Sequence, residues 1–451
     1  MQLNLFASKS KKDKSRSLTL GNIVWNKKVP VIFHETQRPM HLGILGLSGV
    51  GKTYFLEHLI RQDIDRHTGF VLFDVHGDLA DNIVAYLAER AHTDPSILTR
   101  TILIEPFDPN FSIGFNPLQR NPHTSAFLQA QELAHILRSR WEAKSFGPRT
   151  EELLRNALYV LSANDLTLLE LPFLLTTTPY RNKLLESISE QSMKNYWQLR
   201  YERLSDRMRA VLREPLLTRI SGFLFDPQVR EIVGQRKSTF SFSQAISAGS
   251  FVIANLSKGK LGDENSPVLG SLLFTKLQLD IMAQAQVPES DRKFFAVYAD
   301  ELQNFTGQAF ATLIAEARKY RIAIAAGHQS WRQLTPEMRN AMSGVGSRAF
   351  FRLHSQDARD LAGELPGISP TRLLTLPRGQ AIFRTTSELP VHFRIQKHHP
   401  ARSTLADIEV LRNQATLLYA PARILIRKDI EARFQNQLAT STQSLIHRPT
   451  Q

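Results

Sequence analysis

Apolar and polar positions alternate along this chain in two rhythms, and the places where the rhythm changes divide it into segments. From Ser17 to Glu35, "SLTLGNIVWNKKVPVIFHE" alternates about a polar turn, the period-two pattern of a β-hairpin. Short apolar runs follow, "HLGILG", "GFVLFDVHGDL" and "TILIEPF". Between the first two lies "TYFLEHLIRQDI", which spaces Phe55, Leu56, Leu59 and Ile60 as one helical face. Strands alternating with helices predict a parallel α/β sheet. Across 121–235 the pattern is helical, in "SAFLQAQELAHILRSRW", "EELLRNALYVLSA" and "NYWQLRYERLSDRMRAVL", and reads as an all-α domain inserted into the sheet domain. Strand-like runs then return over 236–400 as "SFVIANLS", "FFAVYAD", "IAIAAGH", "RAFFRLH", "QAIFRT" and "VHFRIQ", so the core begun over 18–120 resumes there. Residues 1–17 read as a flexible basic tail. Residues 401–451 read as a helical or flexible tail with a frayed, polar end.

The first apolar run opens into "GLSGVGKTYF". Gly46, Leu47, Ser48, Gly49, Val50, Gly51, Lys52 and Thr53 have the spacing of a P-loop. Its chemistry needs these residue types. Glycines let successive backbone N–H groups turn inward on a phosphate, Lys52 reaches the β- and γ-phosphates, and the Thr53 hydroxyl ligates Mg²⁺. A strand before the loop and a helix after it place the phosphate at a helix N-terminus, where free N–H groups and the dipole favour an anion.

Hydrolysis also needs a metal-side acid and a group that acts on water. The strand "FFAVYADELQNF" ends in both candidates, Asp300 for the Mg²⁺ shell and Glu301 for polarising the attacking water. The next strand ends in His328 and Gln329. Gln329 is the choice for sensing the γ-phosphate, and His328 reads as a packed loop histidine. Upstream, "AEARKYR" gathers Glu316, Arg318, Lys319 and Arg321, either an arginine finger for a neighbouring subunit or a solvated helix end.

Composition narrows the setting. The 451 residues include no cysteine, which removes disulfides and thiolate metal sites and fits a reducing compartment. No run reaches the ~18 apolar residues of a membrane span, and "MQLNLF" is too short for a signal-peptide core. The chain therefore reads as soluble and cytoplasmic. A net charge of +14 points to a polyanionic partner, nucleic acid before an anionic membrane surface. The tail segment "KSKKDKSR", with Lys9, Lys11, Lys12, Lys14 and Arg16, adds to that charge.

The ordered set "LGILGLSGVGKT", "GFVLFDVHGDL", "IGFNPL", "NLSKGKLGDENSPVLGSLL", "VYADELQNF" and "FATLIAEARKYRIAIAAGHQ" resembles the HerA–FtsK superfamily, and within it the conjugative type IV coupling proteins and soluble HerA-like relatives. The likeness runs over about residues 18–400. It implies a RecA-like P-loop NTPase core of the ASCE type, with a mixed, mostly parallel sheet, a short N-terminal β-hairpin and an inserted all-α domain. It further implies a homo-hexameric ATPase ring that pumps DNA, with ATP and Mg²⁺ at Lys52, Thr53 and Asp300. Glu301 is then the catalytic base, Gln329 the γ-phosphate sensor, and Arg318 or Arg352 the arginine acting in trans. Relaxosome or type IV secretion components are the implied partners. Two departures stand out. Coupling proteins typically carry N-terminal membrane helices and this sequence shows none, so either membrane docking goes through a partner or the protein is a soluble translocase of a mobile element or DNA-processing system. Val75 also stands where the family more often has Pro. Two other readings stay open: a nucleotide-gated recruiter that clamps DNA or a relaxosome without moving it, and a protein-secretion ATPase, against which the basic charge argues.

Overall fold

The structure is a computed structural model that describes residues 16–120, 125–141, 147–305 and 307–446, with side chains at 307–309 and 436–446 excepted. The basic tail at Lys9, Lys11, Lys12 and Lys14 lies outside the described residues.

Eleven strands form one sheet: β1 (Leu18–Ile23), β2 (Pro30–Phe33), β3 (Leu42–Leu45), β4 (Phe70–Asp74), β5 (Thr101–Ile104), β6 (Phe251–Asn255), β7 (Phe295–Ala299), β8 (Ile322–His328), β9 (Ser347–Phe350), β10 (Gln380–Thr385) and β11 (Val391–Ile395). Their order is β2-β1-β11-β10-β9-β3-β8-β7-β4-β6-β5. The β9-β3-β8-β7-β4-β6 stretch is parallel. The hairpin β1–β2 and strands β10 and β11 add on antiparallel. The sheet is therefore mixed, mostly parallel α/β, as the alternation of runs predicts. The parallel strands β3, β4, β6, β7 and β8 are buried along their whole length, the mark of a sheet covered on both faces.

Helix α1 (Lys52–Asp65) follows β3, and α2 (Asp78–Ala91) follows β4. On α1, Phe55, Leu56, Leu59 and Ile60 are all at most 1% exposed. Each stabilises the packing by roughly 1.5–3 kcal/mol relative to exposure. At its far end Asp63 is fully buried and takes both Arg38 nitrogens, Nη1 to Oδ1 at 2.8 Å and Nη2 to Oδ2 at 2.5 Å, and the Tyr298 hydroxyl at 2.6 Å. This triad ties α1 to β7.

The chain divides into two compact units. The sheet unit comprises the described residues up to Leu103, with Ser243–Asn255 and Gln284–Gln414. The second unit comprises Ile104–Phe242, Leu256–Ala283 and the described residues from Ala415 onward. The division differs from a simple insertion over 121–235. Helix Asn265–Met282 packs on helix Ala126–Arg140, and the C-terminal helix Arg423–Ile446 is clamped by ion pairs distant in sequence. Buried Glu231 accepts from Arg423 and from Arg427 Nε, and Glu170 accepts from Arg433 Nη1. The expected frayed end is accordingly helical through Ile446. The helical pattern from Asn195 is built as two pieces: a π-helical segment ends at Tyr201, and Ser205 caps a new helix, Asp206–Phe225, by accepting from the Met208 N–H.

Candidate active site

β3 stops at Leu45 and α1 starts at Lys52, so residues 46–51 form the connecting loop at the C-terminal edge of the sheet. Two of its glycines are sterically required. A Cβ on Gly46 would lie 2.5 Å from the Phe351 Cβ, and Gly51, which precedes the helix, has φ of 112°. The loop is braced through its backbone from three sides. The Gly46 N–H donates to the His328 carbonyl, Leu47 N–H to the Arg352 carbonyl, and Gly379 N–H to the Val50 carbonyl. The Lys52 ammonium curls over the loop and donates to the carbonyls of Gly46 at 2.7 Å and Leu47 at 2.9 Å. Burial lowers its pKa, and the charges of Glu301 and Asp300 oppose that shift.

The acids arrive from β7. Thr53 Oγ1 donates to Asp300 Oδ2 at 2.9 Å, and the Glu301 N–H donates to Asp300 Oδ1 at 3.1 Å. Burial lifts the Asp300 pKa to about 6; the Glu301 and Asp74 charges add to the rise, while the Thr53 hydrogen bond and Lys52 counter it. Glu301 sits in the left-handed region, with φ 56° and ψ 60°. For a residue with a Cβ this costs roughly 1–2 kcal/mol. Asn304 offsets the cost by donating from both its backbone N–H and its Nδ2 to the Glu301 carbonyl. The Glu301 carboxylate accepts from Gln329 Nε2 at 2.8 Å on one oxygen and from Gln303 on the other. Thr53, Asp300, Glu301 and Gln329 thus form one connected chain across α1, β7 and the end of β8.

The remaining predicted residues separate by position. Ser48 and Gly49 are exposed at the loop tip. Arg352 follows β9 at the same sheet edge; its carbonyl braces Leu47 and its side chain is exposed. Arg318 is exposed in the turn Ala317–Tyr320 that precedes β8. The seven residues of β8, at ~3.3 Å each, put it about 20 Å from its own loop, at the opposite edge. His328 is 1% exposed, neither ring nitrogen has a partner among the described residues, and burial first, then the Lys52 and Arg348 charges, hold its pKa down to about 3. It is a packed neutral histidine.

Sequence reasoning passed over Asp74, Gln303, Asn304 and Gly379. Asp74 ends β4 and shapes the turn into α2, accepting from the backbone N–H groups of His76 and Ala80, both at 2.9 Å. Val75 beside it is fully buried. Gln303 and Asn304 stood in the quoted "ADELQNF", and their amides following an acid pair were a signal. For Gly379 no sequence signal pointed to the P-loop.

A threonine hydroxyl beside a buried carboxylate is a hard-oxygen pair, and its chemistry suits Mg²⁺, which takes few protein ligands and shares its shell with nucleotide phosphates and water. The raised Asp300 pKa reflects a carboxylate whose charge favours a nearby cation.

The family model "Helicase HerA, central domain" matches residues 18–221. No curated protein matches the chain by sequence. Among solved structures, the bacterial conjugative coupling protein TrwB in its unbound form superposes with a TM-score of 0.62 at 16% identity, over 88% of this chain and 92% of that one. The plasmid coupling protein TrwB in complex with ADP and Mg²⁺ gives 0.61 at 17%, over 85% and 91%. VirB4 of Thermoanaerobacter pseudethanolicus gives 0.52 at 14%, over 84% and 96%. At these identities the likeness is one of fold. Residues 18–221 are thus similar to the HerA central domain, and the chain shares the P-loop NTPase fold of the TrwB and VirB4 structures.

Proposed function

We propose that the protein is an ATP-driven DNA translocase or coupling ATPase of conjugation or type IV secretion, acting as a homo-hexameric ring. The observation that carries the reading is the hydrogen-bonded chain Thr53–Asp300–Glu301–Gln329 beside the Lys52 loop. A protein that only clamps nucleotide has no need of a strained, amide-held carboxylate next to a metal-side acid.

Mg²⁺-ATP supplies a phosphoryl group whose transfer needs alignment and charge compensation more than covalent help. The backbone N–H groups of 46–51 and the Lys52 ammonium bind the phosphates. Thr53 and Asp300 hold the cation. Glu301 accepts a hydrogen bond from the attacking water and orients it, with Gln303 and Gln329 fixing the carboxylate. Gln329 links that water to the γ-phosphate position. Arg318, at the far edge, serves only a neighbouring subunit. Arg352, at the near edge, braces its own loop and is the second candidate for acting in trans.

DNA as cargo rests on the net charge of +14 and on the conjugative context of the TrwB structures. Relaxosome or secretion components are the partners this function calls for. No helix among the described residues is long and apolar enough to cross a membrane. The test is ATP hydrolysis with and without double-stranded DNA, paired with displacement of a triplex-forming strand from that DNA. DNA-stimulated turnover with displacement supports the motor. Binding of ATP and DNA without turnover identifies a recruiter, and stimulation by polypeptide alone identifies a protein-secretion ATPase.

A further inference from the structure

The helical unit contains a cavity of about 510 Å³ between the end of helix Ala126–Arg140, the last turns of helix Asp206–Phe225 and the start of helix Asn265–Met282. Sites for small molecules are of this size. Trp141, Phe223 and Val268 give it an apolar wall, each no more than 6% exposed.

Two features are costly unless the cavity is used. The first is Gly222, inside a 20-residue helix. Glycine there costs ~1 kcal/mol against alanine. Gly222 is exposed and a Cβ there would meet nothing within 4 Å, so packing does not demand a glycine, and the cavity opens to solvent on that side. The second is Arg140. Arg140 lines the cavity, and among the described residues its side-chain hydrogen bond is the one from Nε to the Ser271 hydroxyl at 2.8 Å. Asp263 and Glu264 also line the cavity but are exposed and make no ion pair with it among the described residues. Burial pulls its pKa down to about 10. It is therefore a partly buried cation with no carboxylate paired to it among the described residues, a placement that a bound anion would stabilise.

The planar guanidinium fork matches phosphate oxygens in pairs. Arg219 at the rim adds a second cation. The indole and phenyl of the wall suit a planar ring, and the rim carboxylates of Asp263 and Glu264 can accept hydrogen bonds from ring amino groups or sugar hydroxyls. We propose that this cavity is a second nucleotide-unit site, separate from the P-loop, in which Arg140 takes the phosphate and the Trp141–Phe223 wall takes the base. The unit is either a free mononucleotide or the phosphorylated end of a nucleic acid strand.

The experiment uses full-length Lys52→Ala protein, which removes P-loop phosphate binding, so its outcome is independent of the motor reading. Equilibrium binding and thermal shift are followed with a deoxynucleoside monophosphate, with a 5′-phosphorylated oligodeoxynucleotide and with its unphosphorylated twin. Each is repeated with Gly222→Leu, which fills the cavity, and with Arg140→Met, which removes the cation. Saturable binding that weakens at least tenfold in both variants is expected, with Arg140→Met melting at or above the parent because an unpaired buried charge is gone. Preference for the phosphorylated oligonucleotide over the monophosphate assigns the source as a strand end; equal affinity assigns a free nucleotide. No binding by any phosphate probe, or binding unchanged in a folded Gly222→Leu protein, overturns the proposal. Tighter binding of an acidic peptide than of every phosphate probe overturns it as well.

Discussion

Helix α1 meets strand β7 at both of its ends, and the two meetings are built on opposite principles. At the far end Asp63 is saturated: two Arg38 nitrogens and the Tyr298 hydroxyl occupy its oxygens, and all three groups are buried. At the loop end the Lys52 ammonium bonds to carbonyls of its own loop, two acids stand side by side, and Glu301 is held in a left-handed conformation. The closed end uses its charges to fix the helix on the sheet. The loop end keeps buried charges adjacent: burial first, and then the neighbouring Glu301 and Asp74 charges, raise the Asp300 pKa to about 6. Stability and the proposed chemistry are thus separated along one helix about 20 Å long, taking its 14 residues at 1.5 Å each.

Four substitutions sharpen this contrast. Lys52→Ala has the largest expected effect: ATP turnover falls by ~10³-fold, the scale of losing a preorganised charge-stabilising donor, while the melting temperature stays near wild type. At the closed end, Asp63→Ala leaves Arg38 buried and unpaired and is expected to cost about 3–5 kcal/mol in urea unfolding, with turnover per folded molecule retained. If Lys52→Ala unfolded the protein and Asp63→Ala only stopped turnover, the division would be reversed.

The third test is by pH. His41, at the start of β3, accepts from the Ile324 N–H on Nδ1 and donates from Nε2 to the Ile314 carbonyl. Burial chiefly, with Arg318, lowers its pKa from 6.5 to about 4. Above pH 6.5 both folded and unfolded chains hold it neutral. As pH falls from 6.5 towards 4 the unfolded chain binds the proton first, so stability is lost by about 3 kcal/mol. His41→Asn, which tolerates the positive φ of 67° at this position, is expected to flatten that acid slope. The smallest effect on stability is at Glu301→Gly, which relieves the left-handed strain: a gain of ~1 kcal/mol accompanied by loss of turnover. A loss of stability there would mean that the conformation carries no strain.

Much of this was legible along the chain. The parallel strands could be read because strands buried on both faces appear as unbroken apolar runs, as in "FVLFD" and "IAIAAGH". The P-loop and the Asp300–Glu301 pair could be read because phosphate chemistry constrains residue type and spacing locally. The left-handed backbone at Glu301 could not, since Glu rarely adopts it and only the side chains of the folded site compensate for it. The break before Ser205 was masked by apolar periodicity on both sides of it. The clamping of the C-terminal helix was hidden for a different reason: Arg423, Arg427 and Arg433 look like solvent-facing cations until Glu231 and Glu170, some 190 to 260 positions earlier, fold against them. Partners that distant leave no periodic trace.

The most direct measurement compares nucleotide binding with turnover in Glu301→Gln. The amide keeps the shape of the side chain and removes its charge, so the account predicts Mg²⁺-ATP binding within a few-fold of wild type and hydrolysis lower by ~10²-fold or more. Hydrolysis at the wild-type rate, with ATP still bound, would contradict the assignment of Glu301 to the water and with it the reading of this sheet edge as a hydrolytic site.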